Sequence, residues 1–112
     1  MPRLYDYLDS GNGYKIRLLL HHLDIPFELI ECDVVKGETR TPEFLARNPN
    51  GRIPTLELED VSCLHESSEI LYYLASGTPW LSEDRSKRAR VLQWMCFEQY
   101  NHEPNIATSR YW

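Results

Sequence analysis

The sequence is poor in cysteine, holds no long apolar run and carries no excess of basic charge. Its three cysteines, Cys32, Cys63 and Cys96, stand far apart in 112 residues. None forms a Cys-x-x-Cys pair, and no His/Cys spacing resembles a zinc site, so neither a disulfide framework nor a metal is expected. Widely spaced thiols of this kind are expected to be reduced and buried, without a catalytic role. No apolar stretch approaches the length of a membrane span. The opening Met-Pro-Arg-Leu-Tyr-Asp has no signal-peptide core, so the cytosol is the expected compartment. The net charge of −5 argues against nucleic acid or an anionic membrane as the main partner. The one basic cluster, Arg85, Lys87, Arg88 and Arg90, reads as a solvated helix face.

What is present is an ordinary globular composition, 42% hydrophobic and 26% charged, in a chain of one-domain length. Arg3 to Leu8 alternates as a first strand. Asp9-Ser10-Gly11-Asn12-Gly13 is dense in turn and cap residues. Ile16, Leu19, Leu20 and Leu23 then recur at helical spacing, which predicts a helix over 14–24. Phe27 to Val34 is apolar on both faces and reads as a central strand covered by helices. Thr41-Pro42 is a cap followed by proline at the first helical position, opening a short helix through Phe44 to Arg47. Thr55 to Glu59 and Ser62 to His65 form a hairpin across Asp60-Val61. Ser67 to Ala75 is a helix closed by Gly77.

The order β-α-β-α-β-β-α, with a right-handed crossover joining the first two strands, predicts an α/β fold. It is a thioredoxin-like domain with a mixed four-stranded sheet and helices on both faces. From Ser82 a further helix runs to about Glu103. Val91, Leu92, Trp94, Met95, Cys96, Phe97 and Tyr100 cover most of its girth, and Trp112 extends the apolar set. A helix apolar all round is one buried on several sides. The expectation is a domain over residues 1–80, then, over 81–112, a linker and the first helix of an incomplete all-helical domain. Burial in an oligomer interface, or poor order, is the alternative.

The most informative stretch is Asn50-Gly51-Arg52-Ile53-Pro54-Thr55-Leu56, followed by Glu66-Ser67. Pro54 opens a strand, where its missing donor is tolerated. Set between a turn and a strand, it is a candidate cis peptide. That geometry would leave the Ile53 backbone facing a ligand. Glu66-Ser67 lies where a strand gives way to a helix, and helix-start N–H groups bind carboxylates. Backbone pairing beside an anion hole fits a peptide-like ligand.

These residues, together with the turn Ser10-Gly11-Asn12-Gly13-Tyr14-Lys15, resemble the N-terminal domain of cytosolic glutathione S-transferases. The run Phe44-Leu45-x-x-Asn48-Pro49-Asn50-Gly51-Arg52-Ile53-Pro54 is similar to bacterial members, and the resemblance covers residues 3 to about 80. It implies glutathione as co-substrate, a small electrophile as second substrate, a homodimer and a role in detoxification. It also implies that Ser10, after the first strand and before the first helix, activates the glutathione thiol. The pattern hydroxyl-x-Asn-Gly-x-Lys resembles the nu class, in which an asparagine also serves the sulfur, so Asn12 is the rival candidate. Serine caps helices on its own merits and asparagine suits turns, so either residue has a plain structural use. Ile53 beside Pro54 would pair with the cysteinyl backbone of glutathione. Glu66 would meet its ammonium and Ser67 its γ-glutamyl carboxylate, while Arg52 would reach its glycyl carboxylate. Two other functions stay open: a glutathione-dependent disulfide reductase acting on a disulfide substrate, and a truncated or non-catalytic binding module.

Overall fold

The computed structural model describes residues 1–107. It divides into two compact units, Met1–Leu74 and the segment from Ala75 onward. The first unit holds β1 (Arg3–Asp6), α1 (Gly11–His22), β2 (Glu28–Glu31), α2 (Pro42–Arg47), β3 (Thr55–Glu57), β4 (Cys63–His65) and most of α3 (Ser67–Ala75). The sheet order is β2-β1-β3-β4. β1 runs parallel to β2 and antiparallel to β3, which pairs antiparallel with β4. This is the mixed, thioredoxin-like sheet that the element order predicts.

Strand register sorts the core into two faces. Leu4 lies opposite Leu56, and Leu56 opposite Leu64. That row packs with Ile16 and Leu20 of α1 and Ile70 and Leu74 of α3. On the other face Tyr5 and Cys32 pack with Phe44 of α2, and the Tyr5 and Phe44 rings meet edge to face at 6.0 Å. Burying one such aliphatic side chain is worth about 1.5–3 kcal/mol. These two rows are therefore what holds helices on both sides of so short a sheet.

Several boundaries differ from the sequence reading. β2 is an edge strand, paired only with β1, and Leu29 is exposed. A run apolar on both faces does not by itself distinguish an edge from a centre. β1 ends at Asp6, and α1 begins at Gly11 instead of after the glycines. Ser10 is the N-cap, its Oγ accepting from Gly13 N at 3.3 Å. Capping overrides the low helix propensity of Gly11 and Gly13. α2 starts as its Thr41 cap and Pro42 predict, with Phe44 N donating to Thr41 Oγ1 at 3.2 Å. Of the cysteines only Cys32 is buried; Cys63 is half-buried and Cys96 exposed.

In the second unit α4 (Arg85–Phe97) starts at an Asp84 cap rather than at Ser82. It widens into a π-helix over Glu98–Ala107 that contains Pro104. Proline lacks the N–H for an i−4 bond and crowds that carbonyl, which accounts for the loss of regular α geometry there. α4 buries none of its residues: Trp94 is 67% exposed and Phe97 49%, and Tyr100 just beyond it is 78% exposed. The partners that would cover so apolar a helix are not among the described residues, and Trp112 lies outside them. Arg85, Lys87 and Arg90 are exposed as expected, with Arg88 half-buried. No helix of the described residues is long and apolar enough to cross a membrane.

Candidate functional site

Two helix starts and one loop bring the predicted residues into play. The loop comes first in construction. Asn48, only 2% exposed, is its splint. Its Nδ2 donates to the Arg52 carbonyl at 3.0 Å and to Thr55 Oγ1 at 3.2 Å, and its Oδ1 accepts from Asn50 N at 3.0 Å. Thr55 Oγ1 in turn donates to the Arg52 carbonyl at 3.0 Å. Gly51 takes φ +62, and a Cβ there would stand 2.9 Å from the Thr39 carbonyl, so only glycine fits. The loop therefore delivers Arg52 and Ile53 in one fixed conformation, and the Ile53–Pro54 peptide bond is cis. Pro54 is buried and Ile53 half-buried. Arg52 is exposed, and its guanidinium has no partner among the described residues.

α3 begins on a strained residue. Glu66 has φ +76, in the left-handed region. For a residue with a Cβ this costs roughly 1–2 kcal/mol. Its carbonyl accepts from Ile70 N at 3.1 Å, so its backbone opens the helix. Its carboxylate is exposed and has no partner among the described residues. Ser67 follows, 5% exposed. Its Oγ donates to Asn12 Oδ1 at 3.4 Å, in the first turn of α1. The starts of α1 and α3 thus meet side chain to side chain.

The first turn of α1 carries no acidic residue of its own, but the Asp6 carboxylate packs against Gly13 there and offsets part of the positive charge of the helix N-terminus. Ser10 Oγ accepts from Gly13 N, which leaves its O–H proton to donate. The structure therefore groups Asn12 with Ser67, sets Ser10 at the cap two residues before Asn12, and holds Arg52, Ile53 and Pro54 on the splinted loop.

The residues that sequence reasoning missed are the supports: Asn48, Thr55, Asp6 and Arg17. Asp6 ends β1 with no exposed surface. Arg17 Nε lies 2.8 Å from Asp6 Oδ2. Burial pushes the Asp6 carboxyl above the usual aspartate range, against the lowering effect of the Tyr7 N–H and of Arg17. The available signal was a charged residue at a core-facing strand position. An apolar groove of about 420 Å³ lined by Pro2, Ile25, Leu58 and Tyr73 includes none of the candidate residues. Among the described residues no cluster of His, Cys, Asp and Glu is arranged to hold a metal.

Residues 10–76 match the family model described as glutathione S-transferase, N-terminal domain. A glutathione S-transferase from Pseudomonas fluorescens superposes with a TM-score of 0.96 at 50% identity, over 98% of this chain and 55% of that one. Ure2p solved in complex with glutathione superposes with a TM-score of 0.89 at 29% identity, over 98% of this chain and 49% of that one. Protein URE2 of Eremothecium gossypii is 33% identical over 112 residues, covering 92% of this chain and 32% of its own length. The chain spans about half of these solved structures and a third of the curated relative. With the family model matched over most of the first unit, this chain belongs to the glutathione S-transferase family and carries its N-terminal domain.

Proposed function

We propose that this chain binds glutathione where the first turns of α1 and α3 meet, and ionises its thiol for attack on an electrophile. The observation that carries the reading is the Ser67–Asn12 hydrogen bond. It joins a residue suited to hold a carboxylate to one suited to serve a sulfur. Glutathione is a zwitterionic tripeptide thiol, and the unpartnered charges match it in sign. The Glu66 carboxylate meets the ammonium, and the Ser67 N–H, joined by the Ser67 hydroxyl as it turns from Asn12 to the ligand, holds the adjacent carboxylate. The Ile53 backbone pairs with the cysteinyl residue beside Pro54, and Arg52 takes the glycyl carboxylate. A free thiol titrates near 8.5. A donor from Ser10 or Asn12, with the positive end of α1 behind it, favours the thiolate. The thiolate then attacks the electrophilic carbon of the second substrate; with an aryl halide the carbon–sulfur bond forms as the carbon–halogen bond breaks and halide leaves with its electron pair.

On this reading residues 1–80 are the glutathione-binding domain, and 81–112 are a linker and the opening of a helical domain. The family relationship supports a homodimer in the cytoplasm and a detoxifying role. The test pairs retention on glutathione-agarose with a conjugation assay against a generic aryl halide. Retention with turnover is the expected result, and no retention would sink the proposal.

A second reading has its own support. Ser10 Oγ already serves as a helix cap, whereas Asn12 touches Ser67. That favours Asn12 as the sulfur ligand, in the manner of glutathione-dependent disulfide reductases. Reduction of a small disulfide with glutathione as the electron source, without conjugation, would select it. Retention with neither activity would mark a binding module.

A further inference from the structure

The Asp6–Arg17 pair is an unusual thing to bury in a domain this small. Asp6 is wholly buried and Arg17 largely so, its side chain 20% exposed. The Nε–Oδ2 approach of 2.8 Å is ionic, without hydrogen-bond alignment. Removing two charges from water costs several kcal/mol per ion, and a pair repays this only with excellent geometry and further hydrogen bonds. Net stability is therefore a weak explanation for it.

Its connections give a better one. Asp6 Oδ1 accepts from Tyr7 N at 2.7 Å. Arg17 Nη2 donates to the Leu8 carbonyl at 3.0 Å. Ser10 N donates to the Tyr7 carbonyl at 2.8 Å, and Tyr14 N to the Ser10 carbonyl at 3.0 Å. Tyr7, Leu8 and Ser10 are thus each tied through the backbone to this assembly. Gly13 closes it from the helix side: a Cβ there would fall 1.7 Å from Asp6 Oδ1. The glycine lets α1 press its first turn against the carboxylate. The rigid fork of arginine can hold Asp6 and Leu8 at once, which a single ammonium does less well.

We infer that the Asp6–Arg17 pair is a positioning device that sets the Ser10–Asn12 turn in place, so that its donors are aimed at the glutathione sulfur. The second part rests on the function proposed above; the first does not. Neither residue is catalytic, since both act through the turn. Misplacement of a donor by an ångström weakens catalysis steeply, while glutathione affinity rests on Arg52, Ile53, Glu66 and Ser67.

The test uses the full chain with Arg17→Lys, and with the neutral double variant Asp6→Asn/Arg17→Gln in case the first does not fold. The pH midpoint of bound-thiol ionisation is read by ultraviolet absorbance, glutathione affinity by calorimetry, and amide hydrogen exchange residue by residue. The expected result is affinity within about twofold of wild type and a midpoint raised by about one unit, a tenfold fall in the thiolate-to-thiol ratio at any given pH. Exchange should accelerate at the Ser10, Gly13 and Tyr14 amides but not at Leu20. A folded variant with an unchanged midpoint overturns the inference, and so does failure of both variants to fold, which would assign the pair to overall stability. If the wild type does not bind glutathione, the proposed function falls separately. Exchange then decides: acceleration confined to the turn sustains the positioning role, and uniform or absent acceleration overturns it.

Discussion

Ser67 Oγ donates to Asn12 Oδ1 at 3.4 Å across a sequence separation of 55 residues, and through it the openings of α1 and α3 are held as one unit. Neither helix start would make a recognition site alone. A helix N-terminus offers partial charge, worth typically 0.3–1 kcal/mol at an exposed position. Two of them, joined beside a splinted loop, offer a defined shape.

The α3 start should trade stability for binding. Glu66→Ala and Ser67→Ala should each weaken glutathione binding by about 1–3 kcal/mol, the cost of leaving a charged partner unsatisfied. Glu66→Gly should weaken it equally yet raise folding stability by about 1 kcal/mol, because glycine relieves the positive φ. Calorimetry and denaturant midpoints measure the two effects separately. Equal glutathione affinity in all four proteins would place the ligand elsewhere.

The sulfur ligand should be separable from the cap. Ser10→Ala should cost about 1 kcal/mol of stability through loss of the Gly13 N contact. It should also raise the bound-thiol pKa while leaving affinity nearly intact. Asn12→Ala should leave the cap unharmed. If Asn12→Ala alone abolishes thiolate absorbance, the role belongs to Asn12 and Ser10 is a cap only.

Asp6 should leave a signature in the pH dependence of stability. Its carboxyl is raised above the ordinary aspartate value in the folded chain, chiefly by burial. The native state then holds the proton more tightly than the unfolded state. Stability from this group is greatest below the ordinary aspartate range and falls as pH rises to the raised value. Asp6→Asn removes that slope. Guanidinium unfolding at a series of acidic to neutral pH values should show the balance shifting toward the variant as pH increases. A parallel pair of curves would mean that Arg17 offsets the burial in full.

The exposed face of α4 and its extension should drive self-association. Trp94 and Phe97 meet edge to face at 5.5 Å and are both exposed, as are Val91, Leu92 and Tyr100. Apolar surface of this kind marks an interface or an aggregation-prone segment. Sedimentation should show dimers or larger species for the chain as it stands. Trp94→Ser combined with Phe97→Ser should weaken association at least tenfold, since buried aromatics dominate such contacts. A clean wild-type monomer would refute this.

The fold was legible where sequence signals are local. α3 runs over Ser67–Ala75 as its periodicity and Gly77 predict, and the Thr41-Pro42 pair marks the start of α2. The parallel β1–β2 pair followed from the crossover rule and the antiparallel β3–β4 pair from the short hairpin link. Legibility failed where tertiary contacts decide. Gly11 and Gly13 read as turn residues, yet the Ser10 cap starts the helix ahead of them, and at Gly13 packing against Asp6 makes glycine the residue that lets it run there. Phe27 to Val34 read as a central strand, because an apolar run carries no record of how many neighbours it has. In the candidate site, the groups that would touch ligand stood out, whereas Asp6, Arg17, Asn48 and Thr55 act through buried hydrogen bonds and an ion pair whose geometry appears only in the folded chain.

The Asn48 splint has a kinetic consequence. Its three hydrogen bonds, with the fourth from Thr55, already fix the backbone around Arg52. A ligand laid along that loop would find its docking rail built beforehand and would pay little ordering entropy on arrival. Stopped-flow traces of capture should then be single exponentials, with a rate rising linearly with concentration and showing no plateau from a preceding rearrangement.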